Sequence, residues 1–437
     1  MRGRVTAVAG RYGVLLGNVA ARIAALVSLS LATLLVARKG GPAAVGVYAL
    51  LRVLPSLLGV VISCGLPGAI AYFLAGPSRQ DRRLPLTIVA IAVAGGLAGA
   101  AVWIGGAPLF GPRLFHHLPL PLVMLAGGAV FTRVAVATAK SCSQGNDDLR
   151  GSNRVIFTEE FMFLPTYASL SAVGIGGYKT VVAGLLLADV ATASLAWGRL
   201  IRKGFFHGAQ RPSPRLARRI TSYGLRAQVG GVITLMNLRL DFILLSVMAG
   251  PAVLGVYAVA SKFAELVKVF SMALTYVLYP RFAKDGSDAA VARARTLMRR
   301  ATLVTTVAVV PLWVGAPFVI PTIYGSQFKP AILPAQIILG ALALDGLGGV
   351  VTGFLYGIGR PGLNSLAMGA GLVATVVLDL LLIPRFAAEG AAVASAVAYL
   401  TSTFTLVWFF WWVRRPTPAA RKEEAVLAAA VARADNP

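Results

Sequence analysis

The chain contains a nine-residue phrase twice, and each copy follows a long apolar segment. Residues 41–49 read GPAAVGVYA, and residues 250–258 read GPAVLGVYA, 209 positions later. Seven of the nine residues are identical. An internal repeat in a chain with many apolar segments predicts two structurally related lobes. Such lobes usually flank a substrate path and rock against each other, so the repeat favours a transporter.

The composition is typical of a membrane protein, with 57% hydrophobic and only 13% charged residues. A soluble chain carries about twice this share of charge. Lipid offers the backbone no hydrogen bonds, so apolar segments of roughly 18 residues or more are expected to be helical. We predict twelve membrane-spanning helices, at residues 14–36, 48–75, 86–109, 119–142, 156–174, 180–200, 222–248, 253–279, 301–325, 331–357, 363–384 and 390–413.

The repeat follows the first and the seventh predicted helix, so each repeat contains six helices and both copies have the same orientation. The predicted fold is therefore an all-α integral membrane protein whose two six-helix lobes are related by a pseudo-twofold axis along the membrane normal. The predicted organisation is an N-terminal lobe (1–200), a basic linker between the lobes (201–221), a C-terminal lobe (222–413) and a tail (414–437).

The distribution of basic residues predicts the orientation of the chain in the membrane. Most of the 41 Lys and Arg residues lie in loops on the side of the N-terminus, and few lie on the opposite side. Because basic loops stay in the cytoplasm, both termini are predicted to be cytoplasmic. The linker carries six bases and no acid, which favours contact with anionic lipid headgroups. The bases are spread over many separate loops, so nucleic acid is not an expected partner.

Charged residues inside the predicted helices are the candidates for function, because a charge near the bilayer centre costs roughly 2.5–3.5 kcal/mol. We count three bases in the first lobe, Arg22, Arg52 and Arg133, against one acid, Asp189. This excess of positive charge predicts an anionic substrate. Arg52, however, is near enough to the outer interface for its side chain to reach lipid headgroups instead. The second lobe balances four bases and four acids: Arg226, Arg239, Lys262 and Lys268 with Asp241, Glu265, Asp345 and Asp379.

Asp379 lies near the outer end of its predicted helix, so we expect it to be solvated.

Elsewhere the sequence holds little that indicates an enzyme. Residues 357–362 match G-x-G-x-x-G, but they join two apolar helices and not a strand and a helix, so we interpret them as a tight loop. No nucleotide-binding loop or hydrolytic arrangement is found. We therefore predict neither catalytic residues nor a metal or cofactor.

Three phrases together resemble the bacterial polysaccharide-repeat flippases of the multidrug/oligosaccharidyl-lipid/polysaccharide exporter superfamily. The first is the repeat itself, Gly-Pro-x-x-x-Gly-x-Tyr-Ala. The second is LDFILL at residues 240–245, which leads into GVYAVASK at 255–262. The third is LLIPRF at 381–386, followed by Gly390. The order and spacing of these phrases on the predicted helices carry the resemblance, which covers roughly residues 10–415.

The resemblance implies a V-shaped pair of six-helix bundles in the bacterial plasma membrane. It also implies a function, the movement of an undecaprenyl-diphosphate-linked oligosaccharide from the inner to the outer leaflet, and a basic cavity for the anionic substrate. A polysaccharide polymerase is an implied partner, and the transporter is expected to be a monomer. The candidate substrate-binding residues are Arg22, Arg52, Arg133, Lys262, Arg239 and Lys268. Those that could couple transport to an ion gradient are Asp241, Glu265 and Asp345.

Three alternative functions agree less well with these features of the sequence. A cation-coupled multidrug exporter of the same superfamily is expected to place acids in the first lobe, where our count finds only Asp189. A peptidoglycan-precursor flippase is expected to have fourteen helices. A membrane scaffold without transport activity does not explain bases buried in the membrane.

Overall fold

In the computed structural model, the described residues are 2–116, 118–283 and 287–413. Side chains are described throughout these ranges except at residues 2–16, 77–78, 227, 229–231, 233–234, 237–238, 276, 280 and 287–288. The predicted tail, 414–437, lies outside the described residues. Within the described ranges every regular element is a helix, as expected for a chain that satisfies its backbone hydrogen bonds inside lipid.

Fourteen α-helices follow one another along the described chain. They are α1 (Arg2–Ile62), α2 (Leu66–Ala75), α3 (Leu84–Leu114), α4 (Leu120–Leu125), α5 (Gly128–Gly145), α6 (Leu149–Phe161), α7 (Phe163–Ala172), α8 (Gly177–Arg202), α9 (Pro214–Ala249), α10 (Pro251–Phe282), α11 (Ser287–Tyr324), α12 (Ile332–Leu342), α13 (Asp345–Gly357) and α14 (Pro361–Val413). Two short 3₁₀ helices occupy Pro77–Gln80 and Ser326–Ala331.

Two of these elements each contain a break that divides them into two helices. In α1 the break is Gly41, with φ 69° and ψ −169°, a conformation open to a residue without a Cβ atom. Pro42 follows at the start of the next helix, where its missing N–H costs nothing. In α14 the break is Ala387, with φ 47° and ψ −121°. The breaks fall between predicted helices, at 37–47 and at 385–389.

Six of the described helical segments are long and apolar enough to cross a membrane: Gly17–Ile62, Leu84–Leu114, Leu120–Gly145, Gly177–Arg202, Ala289–Tyr324 and Pro361–Val413. A further pair, Ser326–Leu342 with Asp345–Gly357, qualifies as one span bent by 44°. The first and last segments have 46 and 53 residues, against about 20 needed for one crossing. Each is long enough for the two spans predicted around its break. The all-α membrane class is confirmed, while the total of twelve spans stays a prediction.

The chain forms two compact units. The first unit contains residues 2–262, 315–337 and 375–394, and the second contains 263–314, 338–374 and 395–413. Both copies of the repeat lie in the first unit, together with residues 222–262, which belong to the predicted C-terminal lobe. The lobe boundaries at 200 and 222 therefore stay a prediction.

The predicted linker is partly helical and partly buried in the first unit. α9 begins at Pro214, eight residues before the predicted start, because the hydroxyl of Ser213 accepts a hydrogen bond from the Leu216 N–H (3.4 Å) and caps the helix. Leu216 and Ile220 then join a buried apolar cluster with Ile70, Ile88, Val136 and other residues of the first unit. Burial of these side chains explains why the helix extends into the basic segment.

The second unit is organised around a separate apolar cluster that includes Phe282, Phe354 and Phe410. The Phe354 ring makes edge-on contacts with the other two rings, at centroid distances of 5.8 and 5.0 Å. α13 approaches α10 closely at Gly349, where an added Cβ would lie 2.7 Å from the carbonyl oxygen of Ser271. Small residues at such crossings let membrane helices pack backbone to backbone.

Candidate functional site

Arg52 of α1 is held by Glu160, a carboxylate that is not among the predicted membrane charges. Its guanidinium contacts Glu160 of α6 in two places, with Nη1 2.6 Å from Oε2 and Nη2 2.7 Å from Oε1. Nη1 also donates to the hydroxyl of Tyr48, one turn earlier (3.2 Å). The Arg52 and Glu160 side chains are 17% and 19% exposed. The Nη2 contact is a hydrogen bond, whereas the Nη1 contact is an ion pair without hydrogen-bond alignment. Together they hold the guanidinium against the carboxylate.

Arg133 of α5 is paired in the same unit. Its Nε lies 3.2 Å from Oδ2 of Asp189 on α8, with the two side chains 12% and 4% exposed. The contact is an ion pair without hydrogen-bond alignment. Arg133 Nη1 donates to the hydroxyl of Ser56 on α1 (3.1 Å). Arg133 of α5 thus contacts both α1 and α8, and the carboxylate with which it pairs on α8 is almost completely buried.

A third pair completes this network and corrects the predicted excess of positive charge. Lys140 Nζ lies 3.0 Å from Oε2 of Glu159. Glu159 and Glu160 both fall inside the predicted helix 156–174, but they precede its apolar run and are not among the predicted membrane charges. With them included, Arg52, Arg133 and Lys140 each have a carboxylate. The prediction of three bases against one acid in the first lobe is therefore wrong.

Arg22 differs from these bases because it is exposed and has no carboxylate partner among the described residues. Its Nε donates to Oδ1 of Asn18, four residues earlier on α1 (3.0 Å). The amide of Asn18 donates in turn to Oδ1 of Asn153 on α6 (2.7 Å). These two amides orient the Arg22 side chain without neutralising it, so its charge is available to an anion.

The other predicted substrate-binding residues lie on α9 and α10. Lys268 is half-buried, and its Nζ lies 3.5 Å from the ring centroid of Tyr399, which is a cation–π contact. Arg239 is also half-buried, with its guanidinium 5.3 Å from the ring centroid of Phe242. Lys262 is half-buried on α10.

Two buried carboxylates of the first unit interact, one on α9 and one on α14. Asp241 is 5% exposed and accepts hydrogen bonds from the Tyr257 hydroxyl (2.6 Å) and the Phe242 N–H (2.9 Å). Asp379 is fully buried, and neither of its carboxylate oxygens has a hydrogen-bond partner among the described residues. The charge of Asp241 acts on Asp379. The expectation that Asp379 is solvated is therefore wrong, since α14 buries it against neighbouring residues of the unit.

The remaining acids predicted to couple an ion are Glu265 and Asp345. Glu265 is half-buried on α10. Asp345 is half-buried at the start of α13, and its Oδ2 is buried without a hydrogen-bond partner in the described part of the chain. Three or more His, Cys, Asp or Glu side chains positioned to share a metal ion are not found among the described residues.

Outside the membrane-spanning segments, Asp148 forms a second ionic cluster. It caps α6 by accepting from the Gly151 N–H (3.0 Å), and it receives two hydrogen bonds from Arg199, at 2.7 and 3.0 Å. Lys203 Nζ lies 2.9 Å away. The Arg199 hydrogen bonds, assisted by Lys203, hold the pKa of Asp148 well below its usual range despite its burial. Asp148 therefore anchors the start of α6 to the end of α8.

The fold is that of transporters of the MOP superfamily. A multidrug resistance transporter of this superfamily in an inward-facing conformation matches with a TM-score of 0.72 and 14% identity, over 92% of this chain and 99% of that one. The lipid II flippase MurJ in an inward closed conformation matches with a TM-score of 0.71 and 14% identity, over 91% of this chain and 87% of that one.

Sequence comparisons agree with these structural matches. A family described as "Polysaccharide biosynthesis protein" matches residues 154–333. A Haloferax volcanii protein described as "Probable low-salt glycan biosynthesis flippase Agl15" is 22% identical over 381 residues, covering 84% of this chain and 76% of that protein. The resemblance inferred from the repeated phrase and its neighbours is confirmed by these matches.

Proposed function

We propose that this chain is a flippase that moves an undecaprenyl-diphosphate-linked polysaccharide repeat unit from the inner to the outer leaflet of the bacterial plasma membrane. Alternating access of two lobes carries the polar head across, while the lipid tail stays in the bilayer. The fold, the family match to polysaccharide biosynthesis proteins and the similarity to a glycan biosynthesis flippase support this proposal.

The observation that carries the proposal is the exposed, oriented guanidinium of Arg22. Arg52, Arg133 and Lys140 of the same unit are each engaged by a carboxylate, whereas Arg22 is held by the neutral amide of Asn18. A planar guanidinium with open donors fits the oxygens of a diphosphate. We assign Arg22 as the principal contact to the anionic carrier.

Arg52 and Arg133 have a different proposed role. Each could bind substrate phosphate only by exchanging it for Glu160 or Asp189, so they adjust the local potential and hold α1, α5, α6 and α8 together while the substrate is absent. Lys262, Arg239 and Lys268 supply further positive charge on α9 and α10 for the same substrate.

Asp241 and Asp379 are the proposed ion-coupling site. A buried carboxylate without hydrogen bonds is costly, and a second acid nearby raises the cost. A bound proton or monovalent cation removes this repulsion, so occupancy changes the stability of the packing between α9 and α14. Glu265 and Asp345 are secondary candidates, because each lies half-buried in a helix of the second unit.

A cation-coupled multidrug exporter is the second candidate function. A shortage of acids does not exclude this function, because the predicted helices of the first lobe hold three acids, Glu159, Glu160 and Asp189. The buried Asp189 is the specific feature that favours it, since a buried acid can attract a cationic guest once its partner Arg133 moves away.

The predicted surroundings of the protein are part of the same proposal. Both termini face the cytoplasm, the basic linker contacts anionic headgroups, and a monomer delivers its product to a polysaccharide polymerase. The orientation and the headgroup contact rest on the distribution of Lys and Arg over the loops, and the monomeric state and the polymerase rest on the resemblance to polysaccharide-repeat flippases.

Replacement of Arg22 distinguishes a glycan flippase from a multidrug exporter. Arg22→Ala and Arg22→Lys variants are expressed in a strain that lacks its polysaccharide flippase, and both surface polysaccharide and drug resistance are measured. Flipping of a fluorescent diphosphate-linked glycan is measured in proteoliposomes. We expect Arg22→Ala to abolish both glycan readouts and Arg22→Lys to retain part of the activity.

The matched control is Arg360→Ala, since Arg360 is an exposed arginine in the turn before α14. It should behave as wild type in every assay. Normal glycan flipping by the inserted Arg22→Ala protein would contradict the proposed diphosphate contact. Drug efflux without glycan flipping in the wild-type protein would favour the multidrug function.

A further inference from the structure

The two copies of the repeated phrase lie against each other through their backbones. At Gly46 in the first copy, an added Cβ would overlap the carbonyl oxygen of Pro251 and lie 2.6 Å from its carbonyl carbon. At Gly255 in the second copy, an added Cβ would overlap the carbonyl oxygen of Pro42 and lie 2.7 Å from its carbonyl carbon. The contact is thus reciprocal: each glycine faces the proline of the other copy.

The two copies also share the same local structure. Each phrase begins with a glycine at positive φ, Gly41 at 69° and Gly250 at 87°, and continues through a proline into a helix. Exchange of equivalent contacts between equivalent residues is the mark of a local twofold relationship. The repetition in the sequence therefore has a direct structural consequence, since both copies are needed to form one interface.

We infer that this reciprocal contact, formed by Pro42, Gly46, Pro251 and Gly255, is the closure on the outer side of the transporter and must separate before the substrate head is released. The inference rests on the proposed alternating-access function and on the predicted orientation, which places both phrases on the side opposite the termini. Because glycine presents no side chain, the two backbones meet directly at these positions, and no side chain stands between them when the contact closes or parts.

A buried tyrosine connects each half of the closure to a charged group. Tyr48 and Tyr257 follow Gly46 and Gly255 by two residues and are 2% and 1% exposed. Tyr48 accepts a hydrogen bond from Arg52, and Tyr257 donates one to Asp241. Separation of the phrases therefore disturbs the ion-pair network on one side and the proposed coupling site on the other, which links release to substrate and to ion.

The closure is tested by crosslinking residues beside it. Ala43 and Ala252 flank the contact and are half-buried and exposed, respectively, so Ala43→Cys and Ala252→Cys are mild changes. They are introduced together after Cys64→Ala and Cys142→Ala remove the native thiols. Bis-maleimides of graded length then join the pair. We expect the crosslinked protein to retain about a tenth or less of the glycan flipping of the untreated protein, because one conformation is trapped.

Each single-cysteine protein, treated with the same reagent, is the matched control and should keep its activity. Normal flipping by the crosslinked protein would overturn the inference. Failure of the uncrosslinked protein to flip glycan would count against the proposed function, not against the closure.

A second measurement does not depend on the substrate. Spin labels at the same two cysteines should report a short and a longer distance, and Gly46→Ala or Gly255→Ala should shift the population toward the longer one by about fivefold or more. Gly105→Ala is the control, because a Cβ there meets nothing within 4 Å. A single short distance in wild type and both glycine variants would overturn the inference.

Discussion

The guanidinium of Arg52 and the carboxylate of Glu160 form a two-point ion pair between α1 and α6, with both contacts between 2.6 and 2.7 Å. The pair is mostly withdrawn from solvent, so each charge depends on the other. It also neutralises Arg52, whereas Arg22 is exposed and has no carboxylate partner among the described residues.

Removal of one partner of this pair should destabilise the protein more than removal of both. Glu160→Ala leaves the guanidinium of Arg52 without its counter-charge, and we expect a loss of at least about 2 kcal/mol of unfolding free energy. The double variant Arg52→Met/Glu160→Leu should recover most of that stability, because similar volumes fill the site without charge. Thermal unfolding in detergent measures both.

The same double variant tests the role proposed for Arg52. If Arg52 acts on the substrate or on the local potential, the stable double variant should flip glycan poorly. Wild-type flipping by this variant would show that the pair is only structural. A double variant no more stable than Glu160→Ala would contradict the argument from the unpaired charge.

Asp379→Asn should abolish ion coupling without lowering the stability of the protein. The amide removes a buried charge that has no hydrogen-bond partner among the described residues, so the midpoint of thermal unfolding should stay the same or rise. Transport driven by a proton or sodium gradient should be lost, as it should be in Asp241→Asn. Gradient-driven uptake in proteoliposomes measures this, and transport that still responds to the gradient in both variants would contradict the proposed coupling site.

Asp148→Asn should destabilise the protein at neutral pH but not in acid. Arg199 lowers the pKa of Asp148 in the folded protein, so the carboxylate contributes stability above its unfolded pKa of about 3.9, and this contribution is lost as the pH falls toward the folded value. We expect a cost of about 1–3 kcal/mol at pH 7. The difference between the unfolding temperatures of wild type and variant should therefore begin to shrink below about pH 4 and disappear only as the pH approaches the folded pKa.

The neighbouring Asp147 is the control for this experiment. It lies 3.6 Å from Arg79, but its side chain is 87% exposed, and water screens such a pair. Asp147→Asn should have little effect at any pH. An Asp148→Asn deficit that persists undiminished in acid would show that the carboxylate charge is not the cause.

Gly224→Ala should disturb the contact between α9 and the turn before α2. A Cβ at Gly224 would overlap the carbonyl oxygen of Cys64 and lie 2.9 Å from the carbonyl carbon of Gly65. Backbone atoms cannot move aside as a flexible side chain can, so we expect a lower unfolding temperature and a changed population of conformations. The control, Gly105→Ala, should be neutral or stabilising by about 0.5–1 kcal/mol, and equal behaviour of the two variants would contradict the close approach.

The helices of this protein could be predicted from local sequence, whereas the pairing of its charges could not. Apolar length marked the spans, and the glycine and proline of the repeat marked the break in α1. Glu159 and Glu160 were missed because they precede an apolar run and look like the end of a loop. Asp379 was misjudged for a similar reason: its position along the helix suggested solvent, but the helix face that carries it is buried. An ionisable residue inside an apolar segment is the signal that could have identified it.

By itself, the sequence determined the class of protein, because the cost of unsatisfied backbone groups in lipid makes long apolar segments helical wherever they occur. It also determined that two related segments exist. Only the tertiary structure decided that the two copies meet, that Arg52 and Arg133 are neutralised while Arg22 is not, and that Asp379 is buried without a hydrogen-bond partner among the described residues. Those outcomes depend on distances of a few ångströms between residues far apart in the chain, and Coulomb energies and steric overlap change steeply over such distances.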